Sequence, residues 1–316
     1  MSVTTRHADG GTIPSPTLSA RRRQSPGSRR RLVGWLFLAP LLAVNALVIA
    51  GPAMTSVAYS FTDWDGINTP QFVGWANYTA LAADPAFLNA LWHNLLWTLF
   101  FLTVPMSMGL LGAYLLSRIR RGRTLFRVLF FVPYVVATVV SAAVWRQILS
   151  PTAGIVPLLD SFGVPGIGGL NPLGDPDLAL GAIAMINNWQ WWGFLVMLFL
   201  TAMQSVNPSL YEAARLDGAG PWREFWHVTL PGIRPTLVFL FLMTIIWSFL
   251  VFDYVYILTQ GGPAGSTDML STLLYRTAFS EGRAGSASAI GVVMALISAA
   301  TIAGYLVIRR RLRWEV

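Results

Sequence analysis

Repeated long apolar runs constrain the fold of this chain more than any other feature of its sequence. They are separated by polar segments that are rich in glycine, proline and charged residues. About 20 apolar residues in a helix are needed to cross the ~30 Å hydrocarbon core of a bilayer. Only 11% of the residues are charged, whereas soluble domains carry roughly 25%. The sequence therefore predicts an all-α, polytopic integral membrane protein with six transmembrane helices.

The distribution of arginine predicts how these helices are oriented. The predicted spans are 32–60, 91–116, 128–149, 178–203, 236–258 and 287–308. Every arginine except Arg146, Arg276 and Arg283 lies in the N-terminal tail, the second connection, the fourth connection or the C-terminus. Because basic residues accumulate in cytoplasmic segments, this pattern predicts a cell-membrane protein with both termini in the cytoplasm. We expect a disordered cytoplasmic tail at 1–28 and the transmembrane domain at 29–316.

Composition also excludes several classes of chemistry. The chain has no cysteine, which excludes disulfides and thiolate sites. Its histidines are scattered without the spacing of metal ligands. The net charge of +8 comes from arginine clusters beside apolar runs, which indicates membrane topology and not a nucleic-acid partner. We therefore expect neither a metal nor a nucleic-acid partner.

The polar segment 207–231, between the fourth and fifth spans, carries its own helix signals. Asn207 is a good N-cap, and Pro208 fits the first helical position. Gly218 can end that helix, and Pro221 can begin a second short helix. The segment therefore predicts a small helical module in the cytoplasm.

The composition of this module suggests a docking surface. Ala213 and Ala214 would allow another backbone to approach closely, and the neighbouring Glu212 carboxylate could take a bidentate arginine partner. This combination suits insertion into a cleft of a soluble protein. The alternative is a structured loop that only caps the helix bundle.

The segment also resembles a known family. Glu-Ala-Ala, three residues, Gly, nine residues, and then Ile or Val, any residue and Leu-Pro is the signature of permease subunits of binding-protein-dependent ABC importers. The matching residues are Glu212, Ala213, Ala214, Gly218, Val228, Leu230 and Pro231. The resemblance implies the type I ABC importer permease fold, with Glu212 pairing with a basic residue of an ATPase subunit and Gly218 forming the turn. The residues expected to couple to the ATPase are Glu212, Ala213, Ala214, Asp217, Gly218, Leu230 and Pro231.

Three further runs are similar to the maltose-type carbohydrate importers. They are SFTDW at 60–64, FVGWANY at 72–78 and FDYVYILTQGGP at 252–263, and the last resembles the first of the two non-identical permeases in such systems. The large periplasmic insertion and the extra N-terminal spans of the maltose permease itself are absent. The resemblance thus implies a compact sugar-importer permease.

The partners that follow from this resemblance lie on both sides of the membrane. They are a second, non-identical permease, a dimer of ATP-binding subunits, an extracytoplasmic solute-binding protein and a sugar, with membrane lipid around the bundle. The chain has no Gly-x-x-x-x-Gly-Lys-Ser/Thr loop, so ATP would be bound by the partner ATPase subunits, and the chain would be neither an enzyme nor the holder of a cofactor. The alternatives are an importer permease for a non-sugar solute, an ion-coupled secondary transporter and an intramembrane enzyme.

A polar and aromatic cluster at 187–192 marks a possible solute path in the fourth span. Side-chain amides near mid-depth are costly unless they are paired. They could hydrogen-bond sugar hydroxyls beside stacking tryptophans, or they could join neighbouring helices. The family resemblance places Gln190, Trp191 and Phe194 at sugar-contacting positions.

The fifth span offers a second candidate face. Ile246, Phe249, Leu250 and Asp253 share one side of a continuous helix by their spacing, and by resemblance this side contacts sugar. Asp253 could serve the solute or a gate, or it could pair with a lipid headgroup or another helix. Leu250 and Val251 stand where maltose-type permeases have paired asparagines, which weighs against maltose itself. The candidate path residues are Asn188, Gln190, Trp191, Phe194, Ile246, Phe249, Leu250 and Asp253.

Overall fold

The computed structural model describes residues 27–119 and 121–311. In these residues the regular elements are helices, together with one isolated antiparallel bridge between Thr62 and Phe72. Residues 1–26 of the tail predicted for 1–28 lie outside the described residues, and the first helix begins at Gly27. The structure confirms the predicted all-α fold.

Contacts divide the chain into two units, Met1–Pro52 and Ala53–Val316. In the first unit, α1 (Gly27–Asn45) is followed by a π-helical turn (Ala46–Ala50). The next helices are α2 (Gly51–Tyr59), α3 (Ala76–Ala83), α4 (Pro85–Arg118), α5 (Arg123–Val135), α6 (Thr138–Ile148), α7 (Ile155–Ser161) and α8 (Pro176–Ser205). They are followed by α9 (Pro208–Leu216), α10 (Pro221–Glu224), a π-helical turn (Phe225–Thr229), α11 (Leu230–Gly232), α12 (Arg234–Phe249) and α13 (Asp253–Leu258). The last elements are α14 (Leu270–Tyr275), a π-helical turn (Arg276–Ser280) and α15 (Ala284–Arg311).

Five stretches of the described chain are long and apolar enough to cross a membrane. They are Val33–Tyr59, Pro85–Arg118, Pro176–Ser205, Arg234–Leu258 and Ala284–Val307. The pair α5 and α6 passes the same test together, but its two helices are bent by 92°. The count is six if this pair is one span. The cytoplasmic placement of the termini stays a prediction.

Two spans that we expected to be continuous are broken. The predicted third span, 128–149, is interrupted between α5 and α6, where Pro133 lies in the last turn of α5. The predicted fifth span, 236–258, is interrupted between α12 and α13, so the helix ends at Phe249. Proline explains only the first break, because no glycine or proline lies within the second. Side chains from other helices hold that second break open, as described below.

Close packing of glycines positions α8 against its neighbours. A Cβ added at Gly109 of α4 would lie 2.7 Å from the Leu195 Cβ, and one added at Gly112 would lie 2.8 Å from Val196 Cγ2. A Cβ added at Gly193 of α8 would lie 1.8 Å from the carbonyl oxygen of Phe130 in α5. Small residues allow helix backbones to approach in this way. α8 is therefore held between α4 and α5.

The contact at Gly193 leads to a stability prediction. We expect Gly193→Ala to destabilise the chain by roughly 1–3 kcal/mol, because the added methyl group meets a backbone carbonyl that cannot turn aside. The measurement is the thermal denaturation midpoint of the purified chain. Gly181→Ala in the same helix is the matched control, because nothing lies within 4 Å of its added Cβ. Equal midpoints for the two variants would contradict the prediction.

Candidate functional site

A cavity of about 500 Å³ lies where the two broken spans meet α4 and α8. The first break contributes residues 134–138 to its wall, and the second contributes residues 250–254. Non-helical backbone at membrane depth is tolerated only where it is buried in protein or lines a cavity, because its polar groups need partners. The backbone of both breaks therefore forms part of the wall of this cavity.

Gln190 of α8 connects the two breaks. Its amide nitrogen donates a hydrogen bond to the carbonyl oxygen of Val136 in the first break. Its amide oxygen accepts one from the hydroxyl of Tyr254, which follows the second break. That hydroxyl also lies 3.0 Å from Ser141 Oγ in α6. The contacts show that the Gln190 amide joins helices, which is the structural alternative left open for this cluster.

The second break has further partners that hold its backbone. The Ser271 hydroxyl in α14 donates to the carbonyl oxygen of Val251. Asn94 in α4 donates to the carbonyl oxygen of Ser248 at 2.9 Å, and its own oxygen accepts from the Leu270 backbone at 2.8 Å. These bonds satisfy groups that an uninterrupted helix would have paired internally. They explain why α12 ends at Phe249 without a helix-breaking residue.

Two polar atoms of cavity-lining residues have no hydrogen-bond partner in the described part of the chain. They are the indole Nε1 of Trp191 and the hydroxyl of Thr244, and both are buried. Buried polar groups are paired in the great majority of cases, so each such group needs an explanation. Neither atom has accessible surface in this conformation, so other atoms of these two residues form the cavity wall.

The structure brings four of the eight predicted path residues to this cavity and leaves four outside it. Those that line it are Gln190, Trp191, Leu250 and Asp253. The other four lie elsewhere. The amide of Asn188 contacts Met108 Sδ at 3.4 Å, and the ring of Phe194 stacks on Tyr134 with centroids 4.5 Å apart. Ile246 is half-buried, and Phe249 is 2% exposed in a hydrophobic core. The shared face predicted for the fifth span assumed one continuous helix, and it does not hold because the helix is interrupted between Phe249 and Asp253.

Several side chains of the cavity wall were missing from the prediction, among them Thr244 and Trp247 of α12 and Tyr134 of α5. The signal for the first was present, because Thr244 and Ser248 are polar residues four apart in an otherwise apolar span and therefore lie on one helix face. Trp247 packs edge-to-face on Trp191 with ring centroids 4.6 Å apart. The aromatic wall thus combines side chains from α5, α8, α12 and also α4, which contributes Trp97 and Phe101.

The module between α8 and α12 has the local structure that the sequence predicts. Asn207 accepts a hydrogen bond from the Ser209 backbone at 3.0 Å, and Pro208 begins α9. Gly218 follows that helix with φ +76°, a left-handed conformation that favours glycine. Pro221 then begins α10. The predicted helix starts and the glycine stop are confirmed.

The predicted coupling residues lie mostly on the exposed surface of this module. Glu212, Ala213, Asp217, Gly218 and Pro231 are exposed, whereas Ala214 and Leu230 are half-buried. Leu216 and Trp222 add large apolar surface, because they are 89% and 68% exposed. An exposed carboxylate beside exposed apolar side chains is suited to contact with a protein partner. Their role in coupling stays a prediction.

Glu224, which the sequence analysis missed, fastens the module to the bundle. It is 4% exposed, and its carboxylate contacts Arg215 Nε of α9 at 2.7 Å and Arg118 Nη2 of α4 at 3.0 Å. The hydrogen bond and charge of Arg215 hold the pKa of Glu224 below its usual value. A further hydrogen bond runs from the Tyr114 hydroxyl to the Pro221 carbonyl at 3.0 Å. The module and the end of α4 are thus linked as one unit.

Comparisons with known proteins agree with this architecture. Residues 105–314 match the family described as binding-protein-dependent transport system inner membrane component. The chain is 34% identical over 277 residues to the probable ABC transporter permease protein YurN of Bacillus subtilis, covering 86% of this chain and 94% of that protein. It is 30% identical over 273 residues to the multiple sugar-binding transport system permease protein MsmF of Streptococcus mutans, covering 84% and 90%.

The fold itself is matched among solved structures. A chain from the crystal structure of a bacterial alginate ABC transporter, in complex with an alginate pentasaccharide-bound periplasmic protein, superposes with a TM-score of 0.80. It is 24% identical, and the match covers 90% of this chain and 96% of that chain. The present chain is therefore a multi-pass membrane protein, and it belongs to the family of inner membrane components of binding-protein-dependent transport systems.

Proposed function

We propose that the chain is the permease subunit of an ATP-driven ABC importer and that it carries a sugar across the cell membrane. The names of its relatives support this function, because MsmF is described as part of a multiple sugar-binding transport system. The alginate transporter, whose fold is similar, is described with an oligosaccharide-bound periplasmic protein. A non-sugar solute carried by the same machinery is the alternative.

The cavity between the two broken spans is the observation that carries the proposal. Trp191, Trp247 and Tyr134 offer aromatic faces on which the C–H faces of a sugar ring can stack. The Trp191 Nε1 and the Thr244 hydroxyl have no partner in the described residues and no accessible surface, so they would hydrogen-bond a sugar hydroxyl only after a movement of the wall that exposes them. Ligand sites commonly combine an apolar, aromatic wall with a few polar groups that fix orientation.

The module 207–231 would couple this cavity to ATP hydrolysis. It is tethered directly between α8 and α12, and both helices contribute side chains to the cavity wall. The exposed Glu212, Ala213, Asp217 and Gly218, with Leu230 at the entry to α12, would dock into a cleft of an ATPase subunit. A movement of the module would therefore be passed to the cavity through two helices.

The remaining partners complete the importer. A second, non-identical permease would face this chain across the solute path, and a pair of ATPase subunits would bind ATP. A solute-binding protein would deliver the sugar on the extracytoplasmic side, with both termini of this chain in the cytoplasm. Binding of ATP and closure of the ATPases would open the bundle outward, and hydrolysis would reset it.

Affinity purification of the tagged chain from its native membranes tests this assignment. We expect mass spectrometry to identify an ATPase, a second permease with the Glu-Ala-Ala segment and a solute-binding protein. The recovered binding protein is then assayed with a panel of sugars and non-sugar solutes. Recovery of the chain alone as a stable homo-oligomer would contradict the importer and favour a carrier centred on Asp253. A binding protein that prefers a non-sugar solute would contradict only the choice of solute.

The role of Trp191 is tested by removing its donor while keeping an aromatic ring. We expect Trp191→Phe to raise the KM for the solute by roughly 2- to 12-fold, the equivalent of about 0.5–1.5 kcal/mol for one hydrogen bond. Stability should change little through hydrogen bonding, because this N–H has no protein partner to lose. Trp189→Phe is the control, since Trp189 lies in the same helix and packs on Trp145 outside the cavity. An unchanged KM in the first variant would contradict a solute contact there.

A further inference from the structure

A second cavity, of about 470 Å³, lies among the end of α4, the start of α5, the end of α8 and the polar module. Among the described residues, three arginines line it: Arg118, Arg123 and Arg215. The acidic residue in its wall is Glu224, which is already shared by Arg118 and Arg215. The described wall is therefore strongly positive, and each oxygen of the Glu224 carboxylate is paired with one guanidinium group.

No acidic side chain of the described residues pairs with Arg123 or its neighbour Arg127. With the Gln204 amide turned so that its oxygen faces them, that oxygen accepts hydrogen bonds from Arg123 Nη2 at 2.7 Å and from Arg127 Nη2 at 2.8 Å. The Nε atoms of both arginines are buried, and no hydrogen-bond partner for them lies in the part of the chain that the structure describes. A neutral amide orients two cations but does not balance their charge.

This arrangement is unfavourable as it stands and favourable once an anion binds. A cation that is partly removed from water requires an opposite charge or a full set of hydrogen bonds. The planar guanidinium presents paired donors that match the oxygens of phosphate. Neighbouring, oriented arginines around a hollow with space for a small group are therefore suited to a phosphate-bearing ligand.

We propose that this arginine pocket is a binding site for a phosphate group. Two sources share this chemistry: the phosphodiester headgroup of an anionic phospholipid, and free inorganic phosphate. The pocket lies at the ends of the spans, where basic sites between helices meet lipid headgroups. Because Arg118 and Arg215 also hold Glu224, an anion bound here shares guanidinium groups with the attachment of the module 207–231 to α4. The site is separate from the solute cavity, so it does not depend on which solute is carried.

Lipid retention by the complete transporter is the first measurement. The purified complex is placed in vesicles of phosphatidylcholine, either alone or mixed with phosphatidylglycerol, and the lipid that stays bound is measured by native mass spectrometry. We expect the Arg123→Gln/Arg127→Gln double variant to retain about tenfold less phosphatidylglycerol than the wild type. Arg121→Gln is the matched control, because Arg121 lies in the same connection and is exposed. If the double variant does not fold, Arg123→Gln alone replaces it.

Titration with inorganic phosphate in phosphatidylcholine separates the two sources. A rise of the denaturation midpoint with phosphate in the wild type and in Arg121→Gln, but not in the double variant, identifies free phosphate as a ligand. Selective retention of phosphatidylglycerol without a phosphate effect identifies the lipid. If neither measurement distinguishes the wild type from the double variant, the proposal is wrong. The composition of the affinity-purified complex is unaffected by that result, so it leaves the proposed function standing.

Discussion

Glu212→Ala is expected to leave insertion and assembly of the permease intact and to reduce solute uptake by about tenfold or more. Glu212 is exposed on the module and acts on it through its charge near Arg215, so its removal should cost the bundle little stability. A hydrogen-bonded pair with a charged partner contributes about 1.5–3 kcal/mol, and the module needs that contact to follow the ATPase. The measurement is uptake by the reconstituted complex alongside its ATPase rate. Asp160→Ala, which removes another exposed carboxylate, is the control.

Gly218→Pro tests the same module through its backbone. Proline fixes φ near −65°, whereas Gly218 has φ +76°, so the turn between α9 and α10 cannot keep its shape. We expect this variant to insert but to transport nothing. Normal transport by either variant would contradict the coupling role of the module.

Glu224→Gln is expected to have the second large effect, through loss of the module's attachment. The substitution keeps the size of the side chain but removes the charge that Arg118 and Arg215 share, and it turns amide donors toward guanidinium donors. Loss of one partner from a buried pair costs up to about 3–5 kcal/mol. Because both arginines are partly exposed, we expect roughly 1–3 kcal/mol here. Faster limited proteolysis within 207–231, a lower denaturation midpoint and reduced uptake are the measurements.

The chain provides a matched control for this variant. Glu281 also contacts two arginines, Arg276 at 3.5 Å and Arg283 at 3.6 Å, but its side chain is 38% exposed. Exposed ion pairs contribute only about 0–1 kcal/mol, so Glu281→Gln should change the midpoint little. Equal stability of the two variants would contradict the prediction that the buried Glu224 attaches the module to α4.

Local sequence signals predicted the module and the approximate ends of the spans well. The helix start and stop signals each act on the backbone turn in which they lie, so their effect can be predicted without knowledge of the fold. These signals are Asn207, Pro208, Gly218 and Pro221. Apolar length likewise depends on neighbouring residues alone. These features were predictable because the forces that produce them act over a few residues.

The breaks in the third and fifth spans depended on residues far away in the chain. The second break is stabilised by Ser271 and Asn94, which belong to other helices. Glu224 was missed for the same reason, because its burial follows from Arg118, which precedes it by 106 residues. The error at Phe249 followed from assuming one straight helix. Long-range partners, and not weak local signals, set the limit of prediction here.

The hydrogen bonds at the two helix breaks have a consequence for how a permease of this fold can change the solute that it transports. The side chains of Gln190 and Ser271 donate hydrogen bonds to the main-chain carbonyl groups of Val136 and Val251, and every residue type carries such a carbonyl. The side chain of Leu250, which is 57% exposed and lines the cavity, can therefore be exchanged while the backbone keeps its geometry, whereas Val251 packs against a hydrophobic core. On the proposed function, a library at position 250 with Gln190 kept unchanged is therefore expected to yield variants that transport other solutes.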